Sequence, residues 1–150
     1  MNYTSLISAI ELKSIIDNNQ VILFDCRHDL FDSSFGETEY KKNHIPNSIF
    51  ASVNNDLSGL SDGTNGRHPL PSVANFCQWL EKNGVGNNHQ VITYDSSGGM
   101  YGARLWCMLR WVGHDRVAVL NGGWQAWLNK SLEVNSLEKK QKSTATFTPK

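Results

Sequence analysis

The sequence predicts a three-layer α/β domain, and the prediction follows from three observations. Short runs of apolar and β-branched residues, at Val21 to Phe24, Val91 to Tyr94 and Val117 to Leu120, are apolar throughout rather than alternating. Strands buried on both faces of a parallel sheet read this way. Other segments carry apolar residues at helical spacing, as in Leu105, Met108, Leu109 and Val112. The two kinds of segment alternate along the chain, which calls for a central, mainly parallel sheet of about five strands with helices on both faces, joined by right-handed crossovers.

In chain order, Ser8 to Glu11 forms a capping-box pattern, and Leu12, Ile15 and Ile16 continue a helix that stops at Asn18 and Asn19. The run Val21 to Phe24 is a buried strand ending at Asp25-Cys26-Arg27-His28. A short helix is expected near Glu37 to Lys42, and His44-Ile45-Pro46-Asn47-Ser48 turns the chain into a strand over Ile49 to Val53. Glycine, serine, aspartate and proline dominate from Asn54 to Pro71, predicting an irregular loop long enough to suggest use. Ser72 caps a helix with the stripe Val73, Phe76, Cys77 and Leu80, and Asn83-Gly84 closes it. After the unit at 91–113 come the strand Val117 to Leu120, a turn at Asn121-Gly122-Gly123, and a helix bearing Trp124, Trp127 and Leu128.

A chain of 150 residues suits one core, and 39% hydrophobic with 19% charged residues is ordinary for a globular domain. Fourteen basic and fourteen acidic side chains cancel, so charge gives no reason to expect nucleic acid or an anionic membrane as a partner. No apolar run has membrane-spanning length and no secretory leader is visible, so a cytoplasmic location is expected. Three cysteines make no disulfide framework, which agrees with a reducing compartment. Cys77 and Cys107 lie in or beside apolar helix faces and are expected in the core. Cys26, beyond a strand end, has no obvious activating group except Arg27 and His28. Cys26, His28 and His44 lack zinc-site spacing, so neither a metal nor another cofactor is expected.

The unit VITYDSSGGMYGARLWCMLRWVG at 91–113 reads as strand, tight glycine-containing loop and amphipathic helix, so its loop stands at the carboxyl end of a strand, where α/β proteins carry out chemistry. The glycines do not make a nucleotide site: no Gly-Lys-Ser/Thr follows, and Gly98, Gly99 and Gly102 miss the GxGxxG spacing. A phosphatase-like Cys-x5-Arg cradle is also absent, since Asp95 and Tyr101 hold its two ends.

Strand, loop and helix here resemble the active-site loop of the rhodanese (sulfurtransferase) family, with Asp95 where the family has its catalytic cysteine. FDCRHD at 24–29, HIPNS at 44–48, GRHPLP at 66–71 and VLNGGWQAWL at 119–128 also resemble rhodanese segments, in the family's order. A thiolate can carry a sulfane sulfur as a persulfide; a carboxylate has no equivalent intermediate. Together with GRHPLP and the segment at 101–114, Asp95 makes the chain similar to the non-catalytic amino-terminal domain of two-domain thiosulfate or 3-mercaptopyruvate sulfurtransferases.

The resemblance implies a rhodanese-like domain over 1–130 and a tail over 131–150 that begins a linker to a carboxy-terminal rhodanese domain, the expected partner. It implies no catalytic residue in this chain. His28, Asn54, Arg67, His68, Met100 and Tyr101 are the implied binding or domain-interface residues. Arg67 and His68 would help hold a small sulfur-donor anion, and Met100 and Tyr101 would wall the cleft. Arg27 and Arg104 are expected in structural ion pairs, and the Asp95 carboxylate is expected to accept the loop's own N–H groups. The competing reading is a free-standing inactive rhodanese domain that acts as a binding or regulatory module.

Overall fold

The computed structural model describes residues 2–139 and 144–150. Its elements are β1 (Leu6–Ile7), α1 (Ala9–Ile15), β2 (Val21–Asp25), α2 (Phe35–Lys42), β3 (Ser48–Phe50), α3 (Val73–Lys82), β4 (Gln90–Tyr94), α4 (Met100–Trp111), β5 (Val117–Leu120) and α5 (Gly123–Asn129). The five strands are ordered β1-β5-β4-β2-β3, and every pairing is parallel. Alternate side chains of each strand feed opposite layers. Ile22, Phe24, Val91 and Val117 pack with Phe76 and Leu80 of α3 and with Leu105, Met108 and Leu109 of α4. Leu23, Ile92, Tyr94 and Ala118 pack with Leu12 of α1 and Trp127 of α5. The expected sheet with helices on both faces is the one observed.

Local chemistry explains the element ends. The Ser8 side chain accepts from the Glu11 N–H while Glu11 reaches back to the Ser8 N–H, completing the capping box at α1. Ser72 caps α3 through the Asn75 N–H. Beyond α3, Gly84 takes φ 73°, in the left-handed region, and the Val85 N–H returns to the Leu80 carbonyl.

Two expectations need correction. The strand placed at 49–53 is Ser48–Phe50: after Ala51 donates to the Asp25 carbonyl, Asp56 accepts the Ser52 N–H and Leu57 donates to the Ser52 carbonyl, so a turn ends the ladder. Cys107 is exposed rather than in the core, because it lies on the side of α4 away from the stripe at 105, 108, 109 and 112. The tail over 131–150 also contributes a core residue. Phe147 is buried in the α3–α4 layer, its N–H donates to Glu81 Oε1, and Asn87 and Thr148 exchange two hydrogen bonds. A single aromatic with no periodic neighbours gives no stripe to read, yet it finds a socket beside His114, with ring centroids 5.8 Å apart. Part of the charged run at 138–142 lies outside the described residues.

Because the sheet is parallel, the carboxyl ends of β2, β3 and β4 share one rim. The segments that follow them carry all six candidate residues.

Candidate functional site

At the centre of this rim the loop after β4 folds around its own first side chain. Asp95, 1% exposed, turns inward. Its Oδ1 accepts from the N–H groups of Ser97 (2.8 Å) and Gly99 (2.9 Å), and its Oδ2 from those of Tyr101 and Gly102 (2.8 Å each). Gly99 begins α4 at φ 93°, a conformation that lets these donors converge and that a side chain would oppose. Four N–H groups and the N-terminal end of a 12-residue helix balance a buried negative charge without a cation. The backbone behind the carboxylate is held as closely. The Asp95 carbonyl accepts the Trp124 N–H at 2.8 Å, and a Cβ on Gly123 would stand 2.4 Å from that oxygen. The expected role of the Asp95 carboxylate, accepting the loop's N–H groups, is therefore what the geometry displays.

Below the rim a buried polar network fixes the loop after β2. Arg27 pairs with Asp25 at 2.7 Å, as expected, donates to the Asn43 carbonyl and lies 4.2 Å over the Trp124 ring. The Tyr94 hydroxyl donates to Asp25 at 2.8 Å; burial first, then the Asp25 charge, pushes this phenol well above its usual range. The network is satisfied internally and leads the backbone directly into His28.

His28, 6% exposed, stands edge-on to Tyr101 (ring centroids 5.0 Å apart) and to His68 (5.6 Å). His68 Nε2 lies 2.7 Å from Asn54 Oδ1, and an amide oxygen only accepts, so this nitrogen carries the proton. Arg67 Nη2 donates across to the Leu30 carbonyl, tying the loop after β3 to the loop after β2. Five of the six candidates thus meet in one patch. Met100, 57% exposed, adds apolar surface at the start of α4 and takes no part in the patch's hydrogen bonds or ring contacts among the described residues. His28 Nε2 is buried without a hydrogen-bond partner among the described residues. Burial, followed by Arg67, holds the His28 imidazole below its usual pKa; His68 is lowered by burial, then by His28, Arg104 and Arg67.

Arg104 corrects a further expectation. It forms no ion pair among the described residues; its guanidinium donates to the Leu57, His68 and Pro69 carbonyls and so clamps the loop that presents Arg67 and His68. The sequence contained a signal for this, because Arg104 lies three residues after Tyr101 on a helix and therefore faces the same side.

None of the thiols stands in the cradle. Cys26 is fully buried, and burial, then the charges of Asp25, Asp95 and Asp56, push its thiol far above the ordinary range. Cys77 is buried in the α3–α4 layer and raised by burial and Glu81, and Cys107 lies midway along α4. A depression of about 370 Å³ adjoins Asp95 and is lined by Leu6, Val119, Asn121 and Gly122, with none of the His28 patch in its wall. A larger one, about 820 Å³, lies near the amino end of β2, bordered by Asp17, Asn83 and His89. Among the described residues no cluster of histidine, cysteine and carboxylate side chains fits a metal ion, and no helix is long and apolar enough to cross a membrane.

A parallel five-stranded sheet with a strand–cradle–helix unit at its rim is the architecture of a known family. Residues 8–130 match the rhodanese-like domain, and the chain belongs to that family. It is 36% identical over 140 residues to a probable 3-mercaptopyruvate sulfurtransferase of Pseudomonas aeruginosa, an alignment that covers 92% of this chain and 49% of the relative. It is 37% identical over 112 residues to human 3-mercaptopyruvate sulfurtransferase, covering 73% of this chain and 36% of that protein. Among solved structures, the 3-mercaptopyruvate sulfurtransferase of Leishmania major superposes with a TM-score of 0.83 at 34% identity, over 97% of this chain and 40% of that one. SseA of Escherichia coli, a 3-mercaptopyruvate sulfotransferase, gives 0.78 at 25% identity, over 99% and 56%. The chain thus spans about half the length of the Pseudomonas relative.

Proposed function

We propose that this chain is the non-catalytic amino-terminal half of a sulfurtransferase that moves sulfane sulfur from thiosulfate or 3-mercaptopyruvate to cyanide or a thiol. The observation that carries the reading is Asp95: the position that would hold a reactive sulfur holds a carboxylate already bonded to four N–H groups. With the cradle filled by its own side chain, no donor sulfur has a place to be loaded. The half-length match to sulfurtransferases supports a second domain that supplies the cysteine.

The surface of the rim supports the same reading. Phe31 and Leu60 are 96% and 95% exposed, and Leu70 and Met100 are 54% and 57% exposed. All four lie on the segments after β2, β3 and β4, around the His28 patch. Large apolar side chains gathered about a polar centre mark a surface that another protein surface covers. In this reading the second domain sits on the rim, and His28, Asn54, Arg67, His68 and Tyr101 form one wall of the cleft that receives the donor anion.

The test is an assay of the 150-residue chain with thiosulfate and cyanide, and with mercaptopyruvate and a thiol. No turnover is expected, and mass spectrometry should find no added sulfur on the polypeptide. Turnover that disappears in Cys26→Ser would move the nucleophile into this chain and end the proposal. Reading the coding frame past Lys150 is the companion measurement: a second strand–helix domain with a cysteine-led loop supports the enzyme, and a stop codon supports a binding module.

A further inference from the structure

The chain contains three asparagine–glycine pairs, at 65–66, 83–84 and 121–122, and the last of them forms the turn after β5. Such a pair is chemically labile, because a residue without a Cβ lets its backbone nitrogen approach the amide carbon of the side chain before it. The reaction needs that nitrogen and that amide unengaged and open to water. Asn83 fails on both counts: its Nδ2 donates to the Trp79 carbonyl at 2.9 Å, and the Gly84 N–H donates to the Glu81 carbonyl at 3.0 Å. Asn65 is exposed, but its Oδ1 accepts the Asp62 N–H and its Nδ2 donates to the Leu60 carbonyl. Asn121 and Gly122 are both exposed, and among the described residues neither the Asn121 side chain nor the Gly122 N–H makes a hydrogen bond. The fold therefore leaves both reacting groups free in this pair alone.

We infer that Asn121 is a site of spontaneous deamidation, and that its conversion to isoaspartate loosens the backbone of the Asp95 loop. The inference stands apart from the question of which domain carries the reactive sulfur.

In the first step the Gly122 nitrogen gives up its proton to water and attacks the Asn121 Cγ. A C–N bond forms, the bond from Cγ to Nδ2 breaks, and the side-chain nitrogen leaves as ammonia with a proton returned by water, so that a cyclic imide remains. Water then opens the imide at one of its two carbonyl carbons, with no change of oxidation state. Opening at the backbone carbonyl yields isoaspartate, whose main chain runs through Cβ and Cγ and is one atom longer. The turn has no slack for that atom. The Asn121 N–H is fixed to the Ile7 carbonyl at 2.8 Å on one side, and the Trp124 N–H to the Asp95 carbonyl at 2.8 Å on the other. Between them, a Cβ on Gly122 would stand 2.7 Å from the Ala126 Cβ, and one on Gly123 would stand 2.4 Å from the Asp95 carbonyl oxygen. Lengthening the chain here displaces Trp124 from Asp95, and the hydrogen bond between them is the one lost.

The test is to age the 150-residue chain in mildly alkaline buffer and follow each pair by peptide mass mapping, with an isoaspartate-specific methylation assay on the same peptides. The Asn121 peptide should gain about one dalton, an NH2 replaced by an OH, and become isoaspartyl, while the Asn83 peptide stays unchanged. The urea midpoint should fall as Asn121 converts. Asn121→Gln, whose longer side chain closes the ring far more slowly, should hold its midpoint over the same period. Freshly made Asn121→Asp has the added charge on an ordinary backbone and should match the unaged chain. In concentrated urea, where the fold no longer distinguishes the pairs, all three should convert at similar rates. Asn121 intact after Asn65 has converted, Asn83 converting as fast as Asn121, or a ranking that persists in urea would each overturn the assignment of the site. The link to the Asp95 loop fails if the midpoint of the converted chain does not move, if Asn121→Gln ages like the unaltered chain, or if Asn121→Asp shows a fall of the same size.

Discussion

The Asp95 loop and the His28 patch sit side by side on the same rim, and each is centred on a buried polar side chain. In the loop each carboxylate oxygen accepts two N–H groups at 2.8–2.9 Å. In the patch, among the described residues, a ring nitrogen lacks a hydrogen-bond partner and two arginines lack carboxylates, and burial lowers the pKa of two imidazoles. A region whose hydrogen-bonding capacity is consumed internally serves the fold. One with capacity left over, bordered by exposed apolar side chains, is arranged for something that arrives from outside. Burial alone does not separate the two: Asp95 and His28 are 1% and 6% exposed.

The comparison breaks if truncating the sealed loop is harmless. Asp95→Ala removes one acceptor from four N–H groups and should cost about 3 kcal/mol of stability, read as a fall in the urea midpoint at unchanged slope. A loss below about 1 kcal/mol would mean that water replaces the carboxylate freely and the loop is not sealed. Asp95→Asn sharpens the point, since the amide keeps one accepting oxygen and turns a donor toward the remaining N–H groups. Its cost should be about 2 kcal/mol, smaller than that of the alanine variant.

Acid should act mainly outside the sealed loop. His28, His68 and His114 all have pKa values held below 6.5, in each case by burial first. A histidine that resists protonation when folded costs nothing above its unfolded pKa. As the pH falls through 6.5 toward the folded value, the unfolded chain binds more protons and stability is lost. Between pH 7.5 and 5.5 the urea midpoint should drop by an amount worth on the order of 1 kcal/mol. The drop should shrink in His114→Gln, because His114 is 2% exposed and its Nε2 has no hydrogen-bond partner among the described residues. The smallest effects are expected in the open patch. Arg67→Ala and His68→Ala should each change stability by no more than about 0.5 kcal/mol in chemical denaturation. A larger loss would make these side chains part of the fold and erase the contrast.

Much of the molecule was legible beforehand, and the reasons are local. Uniformly apolar runs gave β2, β4 and β5; period and capping residues gave α1, α3 and α4. Asp95 was readable because a carboxylate followed by small residues at a strand end has N–H groups within reach. Helical spacing puts Arg104 on the side of Tyr101, but its carbonyl acceptors were not readable, since they belong to a loop 35 to 47 residues away in sequence. Phe147 was missed for a related reason: its socket is formed by α3, α4 and His114, and nothing in the tail announces it. Met100 and Tyr101 are consecutive, yet Tyr101 is buried against His28 and Met100 faces out. Only the helix's orientation decides which of them joins the patch.

By itself the sequence determined the alternation of strands and helices, the caps, and the oxygen chemistry of the loop after β4, because these depend on side-chain type and on neighbours a few residues apart. The tertiary structure alone decided which polar groups are left with unused capacity. That depends on parallel strand ends bringing residues 28, 54, 67, 68 and 101 to one rim, and on long-range packing that supplies partners to Asp95 and Arg27 while leaving His28 Nε2 without one among the described residues.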